Sequence, residues 1–383
     1  MRLTVIVNRR GEPARACDDS AMSVSIDVTS VSADQYLFAP SPLAELGSAL
    51  HLLVEPAHHQ PQNGWVTAAT AGIAPDLMDR IVVADYLWRT SRSDMLLPAE
   101  PRATLAAELD ILDALDDETW VRNALMTSSC GVVPVRDDLD SPLVDDTARK
   151  VARDRAAARG PRALDFVDHI LTHPAAARSW VRRLLEDCDT GFFADAWARV
   201  VARLAADARH KRDLLARHGL EAMLAAVSPA LTLTASGDRI VVDKLQDRTA
   251  SASGRGLTFL PSAFSHPHLL VVHTAGCRPV LNYPILAGLD EATVSVTGIQ
   301  DRLHALDHPL RLRLIRSILR TPQTTAQLAE TWMVSAPEVS RHLAVLKNAG
   351  IVTTRRQGRY VLYEVDIARS ARLGTDLIEA LLR

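Results

Sequence analysis

Between Ser335 and Arg359 the sequence sets hydroxyls and cations at spacings that suit one kind of chemistry. Val339, Leu343 and Leu346 fall at i, i+4 and i+7, so they share a helical face that must turn to a core. The opposite arc presents Pro337, Arg341, Ala344 and Asn348, with Ser340 on its flank and Ser335 at its start; Lys347 joins this polar set. Farther on, Arg355, Arg356 and Arg359 stand beside Gly358 in a β-rich run. Guanidinium groups offer forked donors to phosphate oxygens, while Ser340 and Arg341 can reach the edges of bases. His342 lies nearer the apolar side, where packing or a phosphate contact is expected ahead of base reading. The plainer alternatives are a solvated helix face for Arg341 and a solubilising hairpin tip for the three arginines. The surrounding elements favour a nucleic acid over both.

Those elements can be read in order. IQDRLHALDHPLRLRLIRSILR has Pro309 at a helix start, with Leu306, Leu310, Leu314, Ile318 and Leu319 expected on one inner face. TTAQLAETWM supplies a short helix capped by Thr324 or Thr325, with Leu328 inward and a tight turn at Met333-Val334. Ser335 then opens the next helix as a Ser-x-x-Glu capping box with Glu338, and Gly350 stops it. IVTTRRQGRYVLYEV makes a hairpin with Gln357-Gly358 at the tip. Together these predict a helix-turn-helix with a wing. A helix of this width fits the DNA major groove, and its N-terminal end carries partial positive charge toward phosphate. Charge agrees: residues 299–383 hold 13 Lys and Arg against 8 Asp and Glu, whereas the whole chain holds 43 against 46. An acidic body with a basic terminus is the asymmetry of a protein with one nucleic-acid-facing module.

The stretch ALDHPLRLRLIRSILRTPQTTAQLAETWMVSAPEVSRHLAVLKNAGIVTTRRQGRYVLYEVD resembles the winged helix-turn-helix of ArsR-type bacterial transcription regulators. HPLRLRLIRSIL, VSRHLAVLKNAGIV and RRQGRYVLYEV are its most specific pieces. The resemblance implies a homodimeric regulator of double-stranded operator DNA, often a repressor released by an effector. The body, through SPLAEL and GRGLTFLPSAF…RPVLNYP, resembles the uncharacterised domain that precedes this module in long ArsR-like regulators, and that likeness brings no ligand. Two departures matter. TTAQLAETWM has no Cys-x-Cys and ARSARLGTDLIEALLR has no histidine, so neither of the family's usual metal sites carries over. Ala336-Pro337 stands where polar base readers are common, which shifts the burden to Ser340, Arg341 and the wing.

At 383 residues, with 48% apolar and 23% charged, the chain suits more than one globular domain. LTVIV and MSVSIDVTSV read as strands, and SPLAELGSALHLLVEP as a helix capped by Ser41 with Pro42 at its first position and closed by Pro56. From Pro75 to Val227 the text is almost wholly helical, with segments beginning near Pro75, Pro101, Asp117, Ser141, Pro161, His173 and Gly191, and Gly219 as a C-cap. Strands resume with a hairpin around Ser236-Gly237-Asp238, then GLTFLPSAF, HLLVVHTAG and RPVLNYPI, and the first and last strands are candidates to share a sheet. The expected fold class is therefore α+β: residues 1–290 a large α+β domain with a mostly helical middle, a linker near 290–298, and residues 299–383 the winged helix.

Cys17, Cys130, Cys188 and Cys277 are scattered singly, which fits reduced thiols in a cytoplasm. Cys130 and Cys277 lack nucleophile partners and are expected as buried small residues. Asp301, His304 and His308, and Asp165, His169 and His173, have helical metal-like spacing, yet surface or packing roles are favoured. Phosphate-binding glycine patterns, G-x-S-x-G and H-E-x-x-H are missing, and no run suits a membrane span. The reading is a regulator, not an enzyme, with no metal ligands and no cofactor assigned, and with a small molecule or a partner acting as effector through the body. Its rivals are an enzyme targeted to DNA by its terminus and a winged helix turned to protein contact.

Overall fold

A computed structural model describes residues 23–90, 92–128, 140–244, 248–274, 276–285, 295–358 and 360–382. The LTVIV strand, Cys17, Cys130, Arg359 and most of the 290–298 linker lie outside these residues.

Strands β1 (Ser23–Asp27) and β2 (Tyr36–Phe38) precede α1 (Pro42–Val54). Ser41 caps α1 by accepting from the Ala44 amide, with Pro42 at the first position. The segment α1 is mostly apolar and is buried from Pro42 to Leu53, with Glu45, Ser48 and His51 as its buried polar side chains. It is followed by α2 (Asn63–Gly72), α3 (Pro75–Val83), α4 (Leu105–Asp113), α5 (Asp117–Leu125), α6 (Asp146–Arg159), α7 (Pro161–Thr172), α8 (Pro174–Cys188) and α9 (Ala194–Val227). The helices expected near Pro101 and Ser141 begin later, at Leu105 and Asp146, because Thr104 and Asp145 supply the capping oxygens. A π-helical turn from Asp189 to Phe193 replaces the start expected at Gly191. Ala148, Ala152 and Ala156, four apart and fully buried, let α6 lie close to its neighbours. Gly219, at φ +82° and ψ 179°, is non-helical and ends the first of two helices that run together as α9, as expected of a C-cap.

The later strands are β3 (Leu231–Leu233), β4 (Arg239–Asp243), β5 (Arg248–Ser251), β6 (Leu257–Ser262), β7 (Leu270–Val272) and β8 (Val280–Pro284). They build two sheets, ordered β3-β4-β1-β5 and β2-β6-β8-β7. Strand β1 pairs antiparallel with β4 and parallel with β5, while β2 pairs parallel with β6, so early and late strands do share sheets. Every residue of β6 is buried, as expected for a parallel strand covered on both faces.

One carboxylate interrupts this core. Glu45 of α1 accepts from the Ala263 amide at 2.8 Å, tying the helix to the loop that follows β6. Burial raises its pKa to about 7. A carboxyl raised in the fold and ordinary in the unfolded chain contributes stability below the unfolded value, and that stability is lost as pH rises through the folded one. Unfolding free energy should therefore fall between pH 4.5 and 7 by on the order of 3 kcal/mol from this group. Denaturant titrations of Glu45→Gln should show that slope flattened; a slope unchanged by the substitution would assign it elsewhere.

The C-terminal part comprises α10 (Val296–Leu306), α11 (Pro309–Arg320), α12 (Thr325–Trp332), α13 (Ala336–Asn348), β9 (Val352–Gln357), β10 (Tyr360–Val365), α14 (Ile367–Ala371) and α15 (Leu373–Leu382). It has its own apolar cluster, built from Ala305, Leu314, Ile318, Leu328, Val339, Leu343, Leu346, Ile351 and Val352. Leu314 and Ile318 face this core as expected, with Leu306 and Leu310 packed partly against it. Leu319 does not: it is 54% exposed, because one step beyond Ile318 turns the side chain about 100° round the helix. No helix among the described residues is long and apolar enough to cross a membrane.

Candidate nucleic-acid interface

Three contacts fix the helices that precede α13. Arg311 donates from Nε to the Ala305 carbonyl at 2.6 Å and from its second amino group to the His304 carbonyl at 2.7 Å, closing the C-terminal end of α10 with a cation. Trp332 Nε1 donates to Ser317 Oγ at 3.0 Å, holding α12 to α11. Thr324 and Gln327 form a reciprocal capping box at the start of α12. The turn then passes through Met333, left-handed at φ 51° and 94% exposed.

Ser335 caps α13 by accepting from the Glu338 amide, but the return bond from the Glu338 side chain expected of a capping box is missing. The full box is one helix earlier. Val339, Leu343 and Leu346 are fully buried, as their spacing requires. The rest of the helix faces outward: Ser335, Pro337, Ser340, Arg341 and Lys347 are all exposed. His342 is half-buried and packs on the His308 ring at 4.6 Å between centroids. Burial pushes its pKa below the usual histidine value, with His308 and Arg311 adding to the effect. Its side chain thus belongs more to the junction with α11 than to the outer arc.

The wing is anchored as firmly. Strands β9 and β10 pair antiparallel from Val352↔Val365 to Gln357↔Tyr360, so Gln357, expected at the tip with Gly358, is the last residue of β9. Gly358, at φ +61°, supplies the left-handed backbone that so tight a turn needs. Gln323 and Tyr363 exchange backbone bonds of 3.2 and 2.8 Å, so the α11–α12 connector acts as a third strand and couples wing to helix. Arg355 and Arg356 are exposed, and Arg355 lies 3.7 Å from Glu364 on the paired strand. At Gly350 the backbone is left-handed (φ +72°), which favours glycine in the turn from α13 into the wing; an added Cβ would meet only the movable Arg369 side chain.

The metal-like and thiol positions in the sequence resolve differently. His308 Nδ1 accepts from the Leu310 amide at 3.2 Å and caps α11, which occupies it structurally. His169 and His173 sit ring to ring at 5.6 Å. Among the described residues neither group gathers as metal ligands; four other histidines do, His51, His58, His59 and His268. Cys188 is buried, with its thiol pushed up to about 12 by desolvation, whereas Cys277, expected inside, is exposed in the turn before β8.

A family model described as "Family of unknown function (DUF5937)" matches residues 22–288. The chain belongs to the DUF5937 family. In this DUF5937 protein a second model, described as "Bacterial regulatory protein, arsR family", matches residues 308–354, so the C-terminal part is an ArsR-type winged helix. The chain is similar to a probable mercury resistance operon repressor from Streptomyces lividans, 42% identical over 69 residues, 18% of this chain and 55% of that one. The DUF5937 protein thus spans about half the length of that relative. It is also similar to a biofilm growth-associated repressor from Agrobacterium fabrum, 30% identical over 109 residues, 27% of this chain and 90% of that one. Among solved structures, an ArsR-like transcriptional regulator from Rhodococcus sp. RHA1 is 23% identical with a TM-score of 0.21, over 21% of this chain and 77% of that one.

Proposed function

We propose that this DUF5937 protein is a DNA-binding transcription regulator that acts as a homodimer, with residues 299–383 reading operator DNA and residues 1–290 receiving an effector. One observation carries the reading: α13 buries Val339, Leu343 and Leu346 and leaves Ser335, Pro337, Ser340, Arg341 and Lys347 uncovered beside a wing bearing Arg355 and Arg356. Arg359, outside the described residues, belongs to the same set by sequence. The repressor names of similar proteins support it. A single winged helix spans few base pairs, so paired half-sites extend what can be recognised. An effector that binds the body differently in the DNA-competent and incompetent states shifts operator affinity by that difference.

The test is binding of the full chain to DNA from its own promoter region, followed across a salt titration. Arg341→Ala should cost about 1–3 kcal/mol of specific binding and relax discrimination at its base pair. Arg355→Ala and Arg356→Ala should weaken all sequences alike and reduce the salt slope by about one for each phosphate left without its cation. Binding to a protein partner without salt-dependent DNA binding would replace this reading with the protein-contact one.

A further inference from the structure

Four histidines from three separate segments meet inside the N-terminal part. His51 lies in the last turn of α1, His58 ends the 3-10 turn Pro56–His58, His59 follows it, and His268 stands in the loop between β6 and β7. His51 and His268 are 217 residues apart in sequence. His51, His59 and His268 are buried, at 2%, 0% and 6% exposure, and His58 is half-buried. One ligand atom from each lies within 4.8 Å of all the others.

The ring orientations are already set. His51 Nδ1 is 2.8 Å from the Trp88 carbonyl, and His59 Nδ1 is 2.5 Å from the His266 carbonyl. A carbonyl oxygen only accepts, so each Nδ1 carries the proton and each Nε2 is left with a bare lone pair. A backbone carbonyl holding the far nitrogen is the arrangement that orients a metal-bound imidazole. His59 Nε2 is fully buried and has no hydrogen-bond partner among the described residues, which is costly for a polar atom unless something else meets it.

The remaining geometry has the same shape. The Nε2 atoms of His51, His58 and His268 form a triangle with sides of 3.2, 3.1 and 3.1 Å. Hydrogen bonds cannot satisfy it well: His51 Nε2 has no proton to give, so two N–H groups would have to converge on one lone pair. Ligands on a tetrahedral ion with metal–nitrogen bonds of ~2.0 Å stand roughly 3.3 Å apart, close to this triangle. We propose that His51, His58, His59 and His268 form a binding site for one divalent transition-metal ion, with Zn²⁺ as the reference ion.

The donor set defines the class. Four imidazoles with no carboxylate exclude Ca²⁺ and Mg²⁺, which need oxygen ligands, and suit Zn²⁺, Cu²⁺, Ni²⁺ and Co²⁺. Two charged side chains act on the site: buried Arg92 on His51, His58 and His59, and Glu55 on His58. Glu55 is itself paired with Arg89 at 2.6 Å, so the balance is cationic. That repulsion weakens every dication, leaving the ions imidazole binds most strongly. Four protein ligands close the sphere, which makes the ion a clamp between α1 and the β6–β7 loop rather than a site for bound water. The site stands whether or not the C-terminal module binds DNA.

The experiment uses the full chain, stripped with a chelator and titrated with Zn²⁺ alone by calorimetry, with Co²⁺ absorption as a coordination probe. The expected result is one saturable equivalent per chain, a tetrahedral Co²⁺ spectrum and a melting temperature that rises with metal. His58→Gln should weaken binding at least tenfold, and His58→Gln with His268→Gln should abolish it, while His169→Gln and His304→Gln leave stoichiometry and affinity unchanged. Circular dichroism of each stripped variant checks folding, and His58→Gln, at the half-buried position, keeps the test open if the double variant fails to fold. Absence of a saturable equivalent for Zn²⁺, Ni²⁺ and Cu²⁺, or full binding retained by folded His58→Gln, overturns the proposal.

Discussion

Replacing Ile378 with Glu is expected to leave the chain folded but monomeric, and to weaken binding to a two-half-site operator by on the order of 10²–10⁴-fold. Ile378 and Leu381 lie three apart on one face of α15 and are each 51% exposed. On the same module, Leu319 and Ile367 are 54% and 66% exposed, and they help line an apolar cleft of about 340 Å³ between α11 and the α14–α15 segment. So much uncovered aliphatic surface on one small module suits a partner, and under the proposed function that partner is a second copy of the module, with two α13 helices on one duplex. Sedimentation velocity reads the first half of the expectation, and comparison of half-site with full-site DNA reads the second. The half-site affinity should hardly change, since Ile378 stands far along the chain from α13 and its arc. A dimer that persists in Ile378→Glu would move the contact off α15.

Asp376→Ala should cost about 3–5 kcal/mol, far more than an exposed ion pair would. Asp376 meets Arg302 at 2.6 Å with both side chains at or below 10% exposure, and Arg372 approaches the other carboxylate oxygen at 3.4 Å. Removing the carboxylate leaves the largely buried Arg302 guanidinium without this partner. The pair also pins α15 to α10, so its loss loosens the surface that carries Ile378. Denaturant unfolding of Asp376→Ala beside the double replacement Arg302→Met, Asp376→Leu separates the two effects. The double variant should recover most of the loss, because no charge is left buried; a cost below 1 kcal/mol in the single variant would show that water reaches the pair.

What the sequence makes legible is local. Val339, Leu343 and Leu346 announce their face because helical period alone decides which side is inward. Ser41 with Pro42 announces a helix start for the same reason: the capping oxygen and the amide it serves are three residues apart. Where two neighbours compete for a face, period alone misleads, as at Leu319 beside Ile318. Cys277 is exposed against expectation because exposure in a turn follows from packing that no short window records. The division of strands into two sheets depends on pairings such as Ser23↔Asp243, which composition does not encode. The histidine cluster lies deepest. His58-His59 and the His266-Pro267-His268 run are its visible traces, yet nothing in either run points to the other or to His51.

The sheet order has a consequence for the birth of the protein. Among the described residues β1 pairs with β4 and β5, and β2 with β6, each more than two hundred residues downstream. On the ribosome both strands must wait for these partners while the intervening helices are made, since a pairing so distant is slow to close and leaves edges open meanwhile. The winged helix has no such delay, because its apolar cluster spans only Ala305 to Val365. Nascent chains halted just short of β6 should therefore call on chaperones, and those released after β8 should not.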